Sequence, residues 1–361
     1  YGSKIIQAID MPEDRFWQLM EIICEYHDVG KVYSGFQNAI RKNIGEPLLQ
    51  TKFNNEQIKH EQISPMFVPY KKYDLTKTER KLVYQAIYYH HERANTIHID
   101  CELLKEIIKD DIEPNTEKIE NELQIKVPEL KTVYLGMVEG QARITEFDDI
   151  YKDYCIMKGL LHRLDHCSSA WIPVEDETSD EILEFVEKFM KKQNFNPNDL
   201  QQFAKENQGQ NIMVIGSTGM GKTEAALLWS NHDKTFFTLP LRISINAIYD
   251  RIKETIGYNH VGLLHSTAID YLDEKNEENE FEKIDQARNL YEKITTCTID
   301  QIFPFAFKYR GYEKIYATLS YSKVVIDEIQ AYSPEIVAVI LKGLQMINNL
   351  NGKFMVMTAT L

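Results

Sequence analysis

Apolar residues recur every three or four positions in four stretches of the first half of the chain: RFWQLMEIICEYH, ERKLVYQAIYYHH, CELLKEIIKDDI and YKDYCIMKGLLHRLDHCSSAW. That period gathers them on one helical face, so an all-α domain is expected over residues 1–173. Strand-like alternation is scarce there, and IEPNTEKIENELQIKVPEL reads as an elaborated insertion. The texture changes after Pro173. IPVEDETSDEILEFVEKFMKKQNFNPNDL carries an acidic loop, a capped helix expected from Ser179 and an NPND turn, and serves as a connection over 174–195. From Asn196 onward the short apolar runs NIMVIG, TFFTLP, HVGLLHS, KITTCT, SKVVIDE and KFMVMTAT alternate with longer amphipathic segments. Strands buried on both faces and separated by helices make a mainly parallel sheet, so 196–361 is expected to be an α/β domain. The acidic DEKNEENEFEKID is expected to be an exposed loop leading into a helix.

Composition narrows the class. A chain of 361 residues, 43% hydrophobic and 27% charged, can bury the cores of two domains. No apolar run nears the roughly 18 residues of a membrane span, and the N-terminus has no secretory pattern. Cys24, Cys101, Cys155, Cys167 and Cys297 are odd in number and never paired as CxxC, which argues for a reducing, cytoplasmic setting. The net charge of −14 disfavours a general nucleic-acid binder, although a local groove can still be basic. Two basic patches, Pro69–Lys81 (PYKKYDLTKTERK) and Arg41–Gly45 (RKNIG), read by themselves as solvated faces.

The most specific motif lies between a predicted strand and a predicted helix: Gly216-Ser217-Thr218-Gly219-Met220-Gly221-Lys222-Thr223. Its glycines let backbone N–H groups curl around phosphate oxygens, and the helix N-terminus adds its dipole. Lys222 would reach the β- and γ-phosphates and the Thr223 hydroxyl would ligate magnesium, so Mg-ATP is the expected ligand. SKVVIDEIQAY supplies the acidic partner this chemistry needs. Asp327 would hold hydrated Mg²⁺ and Glu328 would polarise the attacking water.

From Gly216 to Leu361 the chain resembles superfamily-two helicases. GSTGMGKTEAAL looks like their first motif, TLPLRISINAIYDRI and TTCTIDQI like DNA-contacting segments, DEIQ like the DExH box, and TAT (Thr358–Thr360) like the coupling motif. The resemblance implies that Gln201 or Gln202 reads adenine and that Gln330, Thr358 and Thr360 couple nucleotide to strand. Gln330 stands where that family usually has His. The chain stops after TAT, so the second RecA-like lobe is expected to be absent, and with it processive unwinding and efficient ATP turnover.

The helical half holds a second constellation: His27-Asp28, then His60, then His90-His91, then Asp165. Imidazole and carboxylate suit divalent transition metals, and a bridging carboxylate can hold two ions. Taken singly, each residue has a bland alternative: a polar helix cap for His27-Asp28, a surface histidine for His60, an ion pair with Arg163 for Asp165. As an ordered set, with HDVGKVYSGFQ, HEQIS and YHH, they resemble the HD phosphohydrolases. Fused ahead of a DExH helicase, they resemble the type I CRISPR-associated helicase–nuclease family. That resemblance implies an HD nuclease fused to a RecA-like lobe, acting on single-stranded DNA with one or two metals (Fe, Mn, Co or Ni) and recruited by an RNA-guided CRISPR surveillance complex. It carries over His27, Asp28, His60, His90, His91 and Asp165 as ligands, Asp28 as the bridge, and Lys31 as the group stabilising phosphate charge. The family usually has a further His upstream, and its absence here reads as a truncated start. Two other readings stand beside this one: an HD nucleotide phosphohydrolase regulated by a P-loop module, and a DNA-binding scaffold with a decayed metal site.

Overall fold

The computed structural model describes residues 1–91, 99–275 and 279–359, and its chain divides into two packing units. One is Ile9–His162; the other joins Tyr1–Ala8 to Arg163–Leu361. These limits differ from the expected breaks at 173 and 196, for a long-range reason. Arg163, on the helix Tyr151–Ala170, is 1% exposed. Its guanidinium bonds Glu175, the Tyr321 hydroxyl and the carbonyls of Val174, Asn289 and Leu290. Glu175 also accepts from the buried Lys234 ammonium at 2.8 Å. A buried guanidinium is costly unless most of its donors are paired, as both terminal nitrogens are here, and these partners all belong to the sheet-bearing unit. The first residues join the same unit through the Lys4–Asp233 ion pair and a bond from the Asn351 amide to the Gln7 carbonyl.

Among the described residues of the Ile9–His162 unit, the regular elements are all helices. The helix Glu13–Tyr26 buries Phe16, Leu19, Met20 and Ile23, the stripe its period predicts. Lys77–Tyr88 opens on a capping box: Thr76 Oγ1 accepts from the Glu79 N–H at 3.2 Å, and Glu79 accepts from the Thr76 N–H at 2.8 Å. The helix Cys101–Ile107 widens into a π-helical turn, Ile108–Ile112, and the expected insertion contains a helix of its own, Thr116–Leu123.

The other unit is built on six parallel strands: β1 (Ile212–Ile215), β2 (Thr235–Leu239), β3 (Val261–Leu264), β4 (Ile294–Thr298), β5 (Lys323–Ile326) and β6 (Lys353–Thr358). Their spatial order is β1-β6-β5-β2-β4-β3. Strands β2 to β5 are buried along their whole length, which is why they read as unbroken apolar or β-branched runs. The register pairs Val214 with Met357 and Phe237 with both Thr296 and Val325. Consequently the loops after β1 and β5 leave, and β6 ends, at the carboxyl edge of the sheet, where open α/β folds bind ligands. The connecting helix runs Ile182–Lys192 rather than from Ser179, and it lacks a side-chain cap. Asp176 and Thr178 instead accept from the N–H groups of Thr178 and Asp180, forming turns that delay the helix. Helices Ala268–Glu274 and Glu280–Arg288 flank the acidic segment, whose residues 276–278 lie outside those described.

Candidate functional site

In the helical unit, His27 ends the helix Glu13–Tyr26 and Asp28 precedes the 3₁₀ turn Val29–Val32 without capping it. The polar-cap reading of the pair therefore does not hold for the Asp28 side chain. Instead its carboxylate faces imidazoles from two further segments. Asp28 Oδ1 lies 3.3 Å from His60 Nε2 and 3.8 Å from His90 Nε2, and Oδ2 lies 3.4 Å from His27 Nε2. Asp28, His60, His90 and His91 can each offer one ligand atom within 4.8 Å of the others. These candidate ligands thus sit at helix ends, converging from three places.

The imidazoles are pre-oriented. His27 Nδ1 is 2.8 Å from the Cys24 carbonyl and His90 Nδ1 is 2.6 Å from the Ile87 carbonyl. A carbonyl only accepts, so both Nδ1 atoms carry the proton and both Nε2 lone pairs are left facing Asp28. His60 Nδ1 faces Glu61 at 3.4 Å and Glu56 at 3.9 Å, two carboxylates that the sequence pattern did not single out. Burial pushes the Asp28 carboxyl up, but the His60 and His27 imidazoles and the Lys31 ammonium beside it outweigh that and hold it well below the usual range. Burial, then His91, keeps the His90 imidazole well below its ordinary value and hence neutral at pH 7. Asp28 Oδ1, His60 Nε2 and His90 Nε2 are buried with no hydrogen-bond partner. Buried polar atoms left unsatisfied are costly, and a divalent cation among them would satisfy all of them together. The donor set therefore fits a transition metal.

The residues around the cluster explain the motifs that carry it. Ser64 Oγ accepts from the Gly30 N–H and donates to the His60 carbonyl, both at 2.9 Å, stitching HDVG to HEQIS. A Cβ on Gly30 would collide with the His60 carbonyl and with Ser64. Gln37 donates to the Lys31 carbonyl at 2.7 Å, and the Phe36 ring lies edge-on to His60 with centroids 5.0 Å apart. Lys31 Nζ pairs with Asp28 at 2.6 Å and, with Asp28, Gln37 and Arg41, lines an open groove of about 1120 Å³. Asp165 is half-buried on Tyr151–Ala170, beyond residue 163 where the chain enters the other unit, and its role as a ligand is a proposal.

The second site follows β1. Gly219 and Gly221 take φ of 85° and 75°, the left-handed region the loop needs to turn its amides inward. The helix Lys222–Ser230 starts at its end. With Thr218, Thr223, Asp327 and Glu328, the loop lines a cleft of about 630 Å³. Ser217 is exposed beside it, and Gly216 is fixed at its base, its N–H donating to the Thr358 carbonyl at 3.0 Å. Lys222, 8% exposed, points at Glu328 with Nζ 3.4 Å from Oε1. Glu328 itself sits at φ 55°, an uncommon conformation for a side-chain-bearing residue. Burial raises the Asp327 carboxyl, offset in part by the Glu328 N–H and by Lys222. Gln330 donates to Glu328 and accepts the Thr358 hydroxyl proton at 2.6 Å. Thr360 lies outside the described residues.

The two glutamines upstream separate. Gln201 is buried, caps its helix with Asn198, and donates to the Gly221 carbonyl at 3.4 Å; Gln202 is exposed and bonds Glu206. Gln201 thus braces the phosphate loop. Asn198, which donates to the Met220 carbonyl at 2.9 Å, and the exposed Phe195 also line the cleft and carried no motif signal. Arg251, bonded to Glu224 at 2.8 Å, completes that wall.

Residues 197–361 match the family model of DEAD/DEAH box helicases. The chain is 29% identical to the CRISPR-associated nuclease/helicase Cas3 of Methanothermobacter thermautotrophicus over 75% of its own length and 35% of that protein. It is 22% identical to a Cas3 of Methanocaldococcus jannaschii over 93% of its length and 53% of that protein. The chain therefore spans about a third to a half of these relatives. Among solved structures, T. fusca Cas3 with ATP aligns over 100% of this chain and 46% of its own, with a TM-score of 0.65 at 14% identity. A chain in a CRISPR RNA-guided surveillance complex, pre-nicking, aligns over 99% of this chain with a TM-score of 0.57 at 17% identity.

Proposed function

Since the chain belongs to the Cas3 family, we propose that its helical unit is an HD-type nuclease centre cutting single-stranded DNA and that its sheet-bearing unit is an ATP-dependent motor lobe for the same strand. The observation that carries the nuclease reading is the convergence of unpartnered Asp28, His60 and His90 atoms beside a groove edged by Lys31. One or two ions of Fe, Mn, Co or Ni held there would supply an activated water and a Lewis acid for phosphodiester hydrolysis. His27 and His90 would present Nε2 to the metal and His60 and His91 a ring nitrogen, and Asp165 would add a carboxylate. Asp28 would bridge, because its two oxygens already face different partners. Lys31 would exchange its pairing with Asp28 for the phosphate of the strand, neutralising charge that builds on the non-bridging oxygens.

In the motor lobe, Lys222 would leave Glu328 for the β- and γ-phosphates, and Thr223 and Asp327 would hold magnesium. That exchange would free Glu328 to orient water. The strand is presented, in this reading, by an RNA-guided surveillance complex at which the whole protein acts in the cytoplasm. Among the described residues no helix is long and apolar enough to cross a membrane.

The test compares Mn²⁺-, Ni²⁺-, Co²⁺- or Fe²⁺-dependent hydrolysis of circular single-stranded DNA with that of free nucleotides. Cutting of the circle that disappears in Asp28→Ala is the expected outcome. Turnover confined to nucleotides would establish the phosphohydrolase reading instead, and no turnover with any metal would leave a scaffold.

A further inference from the structure

The basic patch Pro69–Lys81 does not belong to either site above, yet the fold gives it a concave face. Tyr70, Lys71 and Arg80 from that patch line a pocket of about 440 Å³ with Tyr84, Lys131 and Val133. The floor is apolar and buried: Met66, Val68, Tyr84 and Tyr134 are 2% to 6% exposed. The rim is cationic. Lys71 and Lys131 are exposed, Glu129 is the carboxylate among the lining residues, and it pairs with Lys131 at 2.8 Å. The Arg80 guanidinium lies over the Tyr70 ring, 4.8 Å from its centroid, and its Nε is buried with no hydrogen-bond partner. Flat aromatic and guanidinium faces above an apolar floor, with cations at the mouth, match one ligand chemistry: a planar base carrying a phosphate.

We propose that this pocket is a subsite for one nucleotide of a single-stranded nucleic acid, its base held against Tyr70 and Tyr84 and its phosphate met by Lys71, Arg80 and Lys131. The inference rests on the nuclease reading only for the identity of the strand as substrate. The position is suited to it, because the pocket shares an element with the metal cluster. Met66 lies on the 3₁₀ turn Ser64–Phe67 that continues directly from the helix His60–Ile63, and the Tyr134 hydroxyl donates to the Gln62 carbonyl at 2.6 Å. A strand held here would be fixed relative to the helix that carries His60. The same chemistry could equally be presented by a free mononucleotide, and the experiment separates the two sources.

The test uses the intact chain without metal, in EDTA, so that it reads binding and not cleavage. A 15-nucleotide oligo(dT) with 5-iodouracil near its centre is photo-cross-linked, and the adduct is mapped by mass spectrometry. A cross-link at Tyr70 or Tyr84 is expected. Lys71→Glu, an exposed change that leaves the floor intact, should reduce its yield about ten-fold and Arg80→Ala at least as much. If excess dTMP suppresses the adduct, the pocket takes the mononucleotide unit by itself; if it does not, the pocket takes that unit only within a strand. Absence of an adduct at Tyr70 and Tyr84, or a yield indifferent to Lys71→Glu, overturns the proposal. The nuclease reading fails separately, through the Asp28→Ala comparison in the presence of Mn²⁺.

Discussion

The Thr358 hydroxyl donates to the side-chain oxygen of Gln330 at 2.6 Å while the amide of the same Gln330 donates to Glu328. Glu328 in turn faces Lys222 at 3.4 Å, and the Thr358 carbonyl accepts the Gly216 N–H at 3.0 Å. The end of β6, the acidic turn after β5 and the phosphate loop after β1 therefore form one closed circuit. A carboxamide can donate and accept at once, which lets Gln330 join Glu328 to Thr358. Gln330→Ala should leave nucleotide affinity within about two-fold, because no phosphate contact is lost. It should abolish the effect of nucleotide on strand affinity, read by titrating labelled oligo(dT) with and without a non-hydrolysable ATP analogue.

Lys222→Ala and Asp28→Ala should have opposite consequences. The first removes the cation proposed to neutralise the phosphates and is expected to weaken binding of a fluorescent ATP analogue by about 100-fold, on the order of 3 kcal/mol. Metal-dependent cutting of naked single strands should be unchanged. Asp28→Ala should show the reverse. Loss of cutting in Lys222→Ala would mean that the two units do not work as separable modules.

Gly30→Ala should damage the candidate metal site more than its size implies. The added methyl meets the His60 carbonyl and Ser64, so a helix bearing a ligand must shift. A cost of about 1–3 kcal/mol is expected from overpacking of this kind, together with weaker metal uptake. Ser64→Ala removes the hydroxyl between the same two segments without adding bulk, costing about 1–3 kcal/mol because a buried Gly30 N–H is left without its partner. Thermal melts with and without Mn²⁺ separate the two: the metal-induced gain should shrink more in Gly30→Ala.

Stability should depend on pH through Glu292, a buried residue on the sheet-bearing unit. Burial pushes its carboxyl from an ordinary 4.5 up to about 7, and Oε2 has no hydrogen-bond partner. The folded state thus binds the proton more tightly than the unfolded chain. The stabilisation is complete below about pH 4.5, and is lost as the pH rises to about 7, where the buried carboxylate must ionise. Glu292→Gln should therefore be nearly neutral at pH 5 and stabilising by about 1–3 kcal/mol at pH 8. Urea melts at the two pH values give the comparison; an equal effect at both would show that Glu292 does not titrate with folding.

What could be read along the chain was what depends on neighbours in sequence. The Gly216–Thr223 loop and each strand of the sheet are local patterns, and the phosphate cleft follows from them. The residue types of the candidate metal cluster were legible through the spacing of His27-Asp28, His60 and His90-His91. Its placement at helix ends was not, because helical period says where a face is and nothing about where a helix stops against another. Glu56, Glu61 and Ser64 were missed as supporting partners, although Ser64 stood in plain sight as the last letter of HEQIS. Gln201 or Gln202 was read as an adenine contact; the chain pattern gave no sign that the Gln201 side chain bonds Asn198 and the Gly221 carbonyl. Arg163 carried the largest surprise. A single basic residue near the end of an amphipathic helix gives no local sign of five partners drawn from as far as Tyr321.

That the first eight residues pack with Arg163–Leu361 makes the helical unit an excursion within the other unit's chain, tethered at both of its ends. A fragment begun at residue 163 to isolate the sheet-bearing unit would lack Lys4 and Gln7, leaving Asp233 and Asn351 short of a counterpart each. Release of either body from the other takes two breaks in the backbone, and a protease that nicks a single loop between them would leave both still joined.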